Sequence, residues 1–218
     1  MQQDFHRAYQ RPKTGMEFRH DLEIKRSKFY CFIRQTTDEQ HARDFIADVR
    51  GRFPDARHHC SAFIYHVADA VPVERSNDDG EPTGTAGRPM LDVLRGSGLL
   101  DISAVVVRYF GGIKLGAGGL VHAYSDAVAQ CLPEIETVLR KRQDLFQVHF
   151  SHADAGRYAA ELRNKNIMVV DTTYGQDVCV TLGIEPGTKD ALQGTIDAIV
   201  ADTVKLHEAG TQWLDIAQ

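Results

Sequence analysis

Two hydrophobic periodicities alternate along the first part of the chain. Alternation of apolar and polar residues, or a short apolar run, predicts a strand, whereas recurrence every three to four residues predicts a helix. The run 102–107 is almost entirely apolar and β-branched, as in a strand covered on both faces. The predicted strands are Glu17–Ile24, 28–34, 61–67 and 102–107.

Helices are predicted between and after these strands. In the first, Thr37 and Gln40 form a capping-box pair, and Gly51 with Pro54 ends the helix. Pro89 is predicted to open a second helix, because an amide proton at the first helical position would have no intrahelical partner and proline lacks that proton. Further helices are predicted over 89–94 and 120–132.

The order of elements changes after residue 138. The polar stretch 133–144, PEIETVLRKRQD, is interpreted as a connector because charges flank its short apolar segment. The order that follows, βαββαβ, is that of the ferredoxin-like split βαβ arrangement. We therefore expect an α+β protein with two two-layer α/β sandwich domains, 1–137 and 138–218. Strands are predicted over 145–150, 167–174, 177–184 and 204–213, and helices over 153–163 and 188–200, the last with Thr188 as N-cap.

Composition narrows the classes of protein. With 218 residues, 43% of them hydrophobic, the chain can bury a sizeable core. No segment approaches the roughly 20 apolar residues that span a bilayer, and the polar start MQQDFHRAYQRPK is not a secretory signal. We therefore expect a cytoplasmic protein with no membrane partner. Reduced thiols are expected for its widely spaced cysteines, Cys31, Cys60, Cys131 and Cys179.

Net charge argues against a dedicated nucleic-acid binder. The formal net charge is −5, and neither half of the chain has a basic excess. Binding to nucleic acid would therefore require a local cationic patch.

A glycine-rich segment follows the strand predicted over 102–107. The sequence RYFGGIKLGAGGL, 108–120, places five glycines between a strand and a helix. Unpaired amides at a helix N-terminus combine free donors with the positive end of the helix dipole, so they can hold an anion. Tight turns and close helix-to-sheet packing also require glycine, and the segment lacks the Lys-Ser/Thr ending of a phosphate loop. Both interpretations remain open. The glycines are Gly111, Gly112, Gly116, Gly118 and Gly119.

A second unusual segment, 76–90, has almost no large apolar residue. Its sequence SNDDGEPTGTAGRPM alternates acidic residues, hydroxyls, glycines and prolines, which indicates a shaped loop rather than a disordered linker. Shaped surface loops often bind ligands.

Three segments together resemble a known family. DARHHC (55–60), SNDDGEPTGTAGRP (76–89) and VVVRYFGGIKLGAGGLVHAY (105–124) closely resemble the IMPACT family, in its bacterial two-domain form of the YigZ type. The resemblance extends over nearly the whole chain. It implies a first domain similar to the second domain of a small-subunit ribosomal protein, and a ferredoxin-like second domain similar to the last domain of a translocation elongation factor. Eukaryotic relatives regulate translation by competing for a partner protein of an initiation-factor kinase, and bacterial members resemble RNA or ribosome binders.

Candidate binding residues lie in or beside these segments. Arginine and lysine bind phosphates, the glycine-loop amides add donors, and Tyr109 and Phe110 can offer a stacking surface for bases. Surface ion pairs and aromatic packing are the competing structural roles. Besides the five glycines, the predicted nucleic-acid or anion-binding residues are Arg57, His58, His59, Ser76, Thr83, Thr85, Arg88, Arg108, Tyr109 and Lys114.

Enzyme chemistry is the less favoured alternative. Asp78, Asp79 and Glu81 can hold Mg²⁺ beside a phosphate, although Asp in turns usually bonds its own backbone. His58, His59 and Cys60 suggest a metal site or a Cys/His nucleophile pair, but adjacent strand residues point to opposite faces. No cofactor beyond this Mg²⁺ hypothesis is expected.

Three functional hypotheses therefore follow. They are a translation-associated protein that contacts RNA or the ribosome through the first domain, a regulator that binds a protein partner, and a Mg²⁺-dependent phosphate-handling enzyme. The first is preferred.

Overall fold

A computed structural model describes residues 7–216. The first six residues of the polar N-terminal segment, and residues 217–218, lie outside the described part. The chain divides into a first compact unit that runs to Leu139 and a second unit, Arg140–Ile216. No helix within 7–216 is both long enough and apolar enough to cross a membrane.

The first unit is built around a five-stranded antiparallel sheet. Its elements are β1 (Ala8–Pro12), β2 (Glu17–Ile24), β3 (Ser27–Gln35), α1 (Glu39–Arg52), β4 (His58–Tyr65), β5 (Val73–Asn77), α2 (Gly87–Ser97), β6 (Ile102–Tyr109), α3 (Gly116–Cys131) and a 3₁₀ turn (Leu132–Glu134). The sheet order is β2-β3-β6-β4-β5. Every residue of β6 except Tyr109 is buried, as its continuous apolar sequence predicts.

Helices cover both faces of this sheet. On one face, Phe32 of β3 and Val105 of β6 pack with Phe45 of α1. On the other face, the Phe29 ring meets the Tyr124 ring of α3 edge-on, with centroids 5.3 Å apart. The α+β class and the two-domain organisation are confirmed, but this unit has three layers where two were expected. The difference arises because β3 and β6 present large apolar side chains on both faces, so each face needs a cover.

Local signals predicted most of these elements, with corrections at their ends. Asp38, not Thr37, caps α1, and its carboxylate accepts the amide of His41 at 2.8 Å. The short strands β1 and β5 were not predicted, and Ser76 belongs to β5 rather than to a loop. α3 begins at Gly116, earlier than the apolar spacing indicated.

The second unit has the predicted βαββαβ order. Its elements are β7 (Thr137–Phe150), α4 (Ala155–Asn164), β8 (Met168–Tyr174), β9 (Val178–Ile184), α5 (Lys189–Val200) and β10 (His207–Ile216). β10 pairs with β7, which pairs with β9, which pairs with β8. This is the strand arrangement of a ferredoxin-like sheet, and Val148, Leu162, Val180 and Ile196 are fully buried in its core.

Two details of the second unit differ from the prediction. The predicted connector 133–144 instead contributes to the 3₁₀ turn and forms the first part of β7, whose pairing with β9 begins at Asp144, opposite Ile184. Thr188 precedes α5 as expected, but its hydroxyl donates to the Glu185 carbonyl at 2.7 Å instead of capping the helix.

Candidate functional site

A cleft of about 320 Å³ opens in the first unit where β6 passes into α3. We call it the first-unit cleft. Glu81, one of the three proposed Mg²⁺ ligands, also lines it. The structure thus brings residues from all three sequence segments to one place. The predicted binding residues that line the cleft are Arg57, His58, Arg108, Lys114 and Gly116.

The N-terminus of α3 contributes a wall of the cleft. No side chain in the described range 7–216 caps this helix, and its first turn contains no acidic residue. Gly116 has a φ of +77°, a conformation that L residues rarely adopt, and a Cβ on Gly118 would meet no atom within 4 Å. The first-turn amides therefore keep their donor capacity and the positive end of the helix dipole, unneutralised by a carboxylate.

Local structure explains the other three glycines of the segment. A Cβ on Gly111 would lie 2.0 Å from the backbone of Arg26, so this position serves close packing of the loop on the β2–β3 turn. Gly112 has a φ of +85°, which favours glycine whatever the neighbours are. At Gly119 a Cβ would approach the Leu115 Cβ to 3.0 Å. The glycine run therefore combines a packed turn with an open helix start.

The cationic side chains predicted to bind the ligand are in three different states. Arg57 and Lys114 are exposed, and neither makes an ion pair with a described residue. Arg108 is buried, with a side chain 8% exposed, and its Nη1 lies 2.6 Å from Glu81 Oε1. Its Nε finds no hydrogen-bond partner among residues 7–216. Arg88, in contrast, lies outside this cleft and pairs with Asp92 at 3.1 Å.

His58 reaches the cleft with one ring nitrogen engaged. Its Nδ1 lies 2.8 Å from the Asp79 carbonyl oxygen, which can only accept, so Nδ1 carries a proton. That bond holds the imidazole in place and leaves Nε2 available. Its neighbour His59 lies on the α1 side of β4, where Nε2 bonds with the Phe53 carbonyl at 2.9 Å. The two histidines therefore do not share a site.

A buried polar network lies beneath the cleft. The Glu81 carboxylate, 4% exposed, accepts hydrogen bonds from Arg108 and from the Tyr124 hydroxyl, the latter at 2.8 Å. The Cys60 thiol donates to the Asp78 carbonyl at 3.0 Å and lies 3.3 Å from the Tyr124 oxygen. Burial, followed by the nearby carboxylates, raises the pKa of Cys60, although the Tyr124 hydrogen bond opposes the shift. A thiol held protonated is a poor nucleophile.

Asp78 and Asp79 hold the 76–90 loop in shape. Asp78 accepts the amides of Gly84, Ala86 and Gly87 at 2.7, 3.0 and 2.8 Å. Burial opposes ionisation of this carboxyl, but the three amides outweigh it, so its pKa lies below the usual value. Asp79 accepts from Arg50 and from the His59 amide, both at 2.7 Å.

The carboxylates of Asp78, Asp79 and Glu81, the three proposed Mg²⁺ ligands, thus each accept hydrogen bonds from a different group of donors. Within 7–216, no group of three or more His, Cys, Asp or Glu side chains is placed to hold a metal ion.

The other predicted residues do not line the cleft. Thr85 is buried and its hydroxyl donates to the Pro82 carbonyl at 2.6 Å, whereas Ser76 and Thr83 are exposed elsewhere. Tyr109 donates to Asp55 at 2.7 Å, and this hydrogen bond, with burial, raises the pKa of its hydroxyl to about 12. Its ring packs in the α1-side core.

Sequence reasoning missed the part that Tyr124 plays. The helical apolar spacing assigned it to the buried face of α3, which is correct, but the residue also donates to Glu81 across 43 positions of sequence. The only sequence signal was a hydroxyl on an otherwise apolar face, since such a group needs a buried partner.

Comparison with known proteins supports the family resemblance that the three sequence segments 55–60, 76–89 and 105–124 indicated. The Impact N-terminal domain matches residues 25–132, and the domain of unknown function DUF1949 matches 148–201. The IMPACT family member YigZ of Escherichia coli is 50% identical over 53% of this chain and 56% of its own. The IMPACT family member of Haemophilus influenzae is 38% identical over 85% of this chain and 89% of its own.

Relatives from other sources extend the match to the whole fold. The IMPACT family member YvyE of Bacillus subtilis is 39% identical over 73% of this chain and 72% of its own. A crystal structure of a hypothetical protein, 32% identical, covers 92% of this chain and 96% of its own with a TM-score of 0.62. Sequence identity of this extent over most of both chains establishes common descent, so the protein is a member of the IMPACT family.

Proposed function

We propose that the first-unit cleft binds phosphate groups of RNA, and that the protein serves a translation-associated role through this contact. The observation that carries the proposal is the convergence of free cations on an uncapped helix start. Arg57 and Lys114 have no ion-pair partner among residues 7–216, and the first turn of α3 has no acidic residue to neutralise its amides. Membership of the IMPACT family supports the translational part, because that resemblance implies regulators of translation and RNA or ribosome binders.

The local charge differs in sign from the charge of the whole chain. The chain carries a formal −5, yet three cationic side chains and one carboxylate line this cleft. A cationic patch on an acidic protein binds polyanions at that patch alone, since the rest of the surface repels them. The proposal therefore requires few phosphate contacts and an affinity that depends on salt.

The salt dependence can be stated as an expected slope. For single-stranded nucleic acid, the logarithm of the binding constant falls by about 0.7 per phosphate contact for each tenfold rise in salt. Contacts from Arg57, Lys114 and Arg108 would give a slope of about −2, which corresponds to roughly twentyfold weaker binding at 200 mM than at 50 mM salt.

The experiment is fluorescence anisotropy of labelled single-stranded RNA, and sedimentation with ribosomal subunits, across a salt series. Lys114→Gln and Arg57→Gln remove a free cation each, and both side chains are exposed, so the fold should persist. Arg88→Gln is the matched control because Arg88 is also exposed but lies outside the cleft and is paired with Asp92. We expect each cleft variant to weaken binding and make the slope shallower by about 0.7. Binding that is absent at low salt, or equal losses in all three variants, would overturn the proposal.

A further inference from the structure

The first-unit cleft has an exposed aromatic wall beside its cationic end. Phe110 lines the cleft and is 55% exposed. Ile113, three residues further on, is 43% exposed. In the described part of the chain four large hydrophobic side chains are exposed, and two of them lie in the segment between β6 and α3, where Phe110 lines the cleft and Ile113 precedes the cleft residue Lys114. Apolar surface concentrated next to unpaired cations indicates a ligand with both an anionic and a flat apolar part.

The Phe110 ring is held by the arginine at the base of the cleft. Arg108 Cζ lies 5.7 Å from the centre of the Phe110 ring and 5.5 Å from that of the buried Phe29. The guanidinium thus contacts an exposed ring and a buried ring at cation–π distance. Because Glu81 anchors Arg108 at 2.6 Å, Phe110 is supported by a fixed group while more than half of it stays open to solvent.

Arg108 also supplies an unsatisfied donor at this point. Its side chain is more than nine-tenths buried and lines the cleft, and its Nε has no partner in the described part of the protein. A buried donor without a partner costs free energy, which a bound acceptor would recover. Together with the uncapped α3 start, it places donors and a positive charge within the same cleft as the exposed ring.

We propose that the first-unit cleft holds one nucleotide of single-stranded RNA, with its phosphate at the α3 N-terminus and its base stacked on Phe110. This inference rests on the proposed function and specifies its ligand. A volume of about 320 Å³ is at the lower end for small-molecule sites, which suits a single nucleotide and not a helix. In a duplex each base face is covered by its neighbours, so only an unstacked base can lie on the ring.

The test measures anisotropy of a short labelled single-stranded RNA, and of the same strand annealed to its complement, with the full chain at about 50 mM salt. Phe110→Leu keeps an apolar side chain but removes the aromatic face, whereas Phe110→Trp keeps and enlarges that face. Phe110 is exposed, so neither change should unfold the protein, and thermal unfolding checks this. Ile113→Ala is the control for loss of exposed apolar surface without loss of a ring.

We expect Phe110→Leu to bind the single strand roughly tenfold more weakly, as for loss of one base-stacking contact, and Phe110→Trp to bind at least as tightly as the unaltered chain. Ile113→Ala should change affinity less than Phe110→Leu, and the duplex should bind more weakly than the single strand. Little base preference is expected because every base has a π-face.

The failures of the two proposals can be told apart. If binding falls with salt and with Lys114→Gln but is unchanged in Phe110→Leu, or if the duplex binds as well as the single strand, the stacking inference is wrong and phosphate binding stands. If no RNA binds at low salt, both are wrong. If Phe110→Leu and Ile113→Ala lose affinity equally while Lys114→Gln loses none, the surface binds by apolar contact and not by stacking a nucleotide.

Discussion

Replacement of Asp78 by alanine distinguishes a structural role of the 76–90 loop from a metal-binding role. The carboxylate accepts three backbone amides, of which those of Ala86 and Gly87 belong to buried residues at the start of α2. A buried donor left unsatisfied costs roughly 1–3 kcal/mol, whereas the amide of the exposed Gly84 can bond to water. We therefore expect Asp78→Ala to lower the free energy of unfolding by about 3 kcal/mol.

Urea unfolding followed by far-UV circular dichroism measures this loss. With a urea dependence of about 2 kcal/mol per molar, the midpoint of the first unit should fall by about 1.5 M. Asp78→Asn is the matched variant, because one amide oxygen can still accept from Ala86 and Gly87, so its loss should be smaller. Mg²⁺ at millimolar concentration should leave the unaltered protein's midpoint unchanged. A midpoint in Asp78→Ala equal to that of the unaltered chain, or Mg²⁺-dependent stabilisation that Asp78→Ala abolishes, would refute this account.

The difference in stability between the unaltered chain and Asp78→Ala depends on pH. The folded-state pKa of Asp78 lies below the ordinary value of 3.8, so ionised Asp78 stabilises the folded chain. That contribution is complete above about pH 5 and is lost as the pH falls past 3.8 and through the folded pKa. The stability difference between the unaltered chain and Asp78→Ala should therefore be constant from pH 7 to about pH 5 and shrink in more acidic solution.

Three further predictions concern the surroundings of the cleft. Glu81→Gln leaves Arg108 charged and buried without its anion, so it should lower the free energy of urea unfolding by about 3 kcal/mol. Addition of Arg108→Met should recover part of that loss. A double variant less stable than Glu81→Gln would contradict the pairing. Gly111→Ala should lower the free energy of unfolding by about 3 kcal/mol because the new Cβ would lie 2.0 Å from neighbouring backbone. Gly118→Ala, with open space around the new Cβ, should leave the stability unchanged or raise it by about 0.5 kcal/mol. Equal shifts of the thermal unfolding midpoint in the two variants would show that close packing is not the reason for Gly111. Cys60, whose thiol burial keeps protonated, should react with a thiol reagent at neutral pH only after urea unfolding, and mass spectrometry that finds it modified in the folded chain would contradict its burial.

The sequence predicted the elements whose apolar pattern depends only on residues close to one another in the chain. β2 and β6 were found because alternation or a continuous apolar run determines which faces they bury. β1 was missed because AYQRP is short and ends in proline, so it shows no alternation. The first part of β7 was taken for a connector because its charged residues show no alternation of apolar and polar side chains.

The candidate site was predictable in its position but not in the role of each residue. Strand, glycine loop and helix indicated the α3 N-terminus, and the structure places Lys114 and Gly116 at one cleft. The pairing of Arg108 with Glu81 joins positions 27 apart in sequence and depends on how the loop folds over β6. For the same reason Phe110, and not Tyr109, presents the exposed ring, since only the tertiary packing shows which of two adjacent aromatics turns outward.

The most direct test of the central claim is the salt dependence of RNA binding by Lys114→Gln beside Arg88→Gln. The account predicts that the slope becomes shallower by about 0.7 in the first variant and stays unchanged in the second. The reason is that Lys114 lines the cleft without an ion pair to any of residues 7–216, whereas Arg88 lies outside the cleft and pairs with Asp92. Equal slopes in both variants, or no RNA binding by the unaltered chain at low salt, would contradict an RNA site at this cleft.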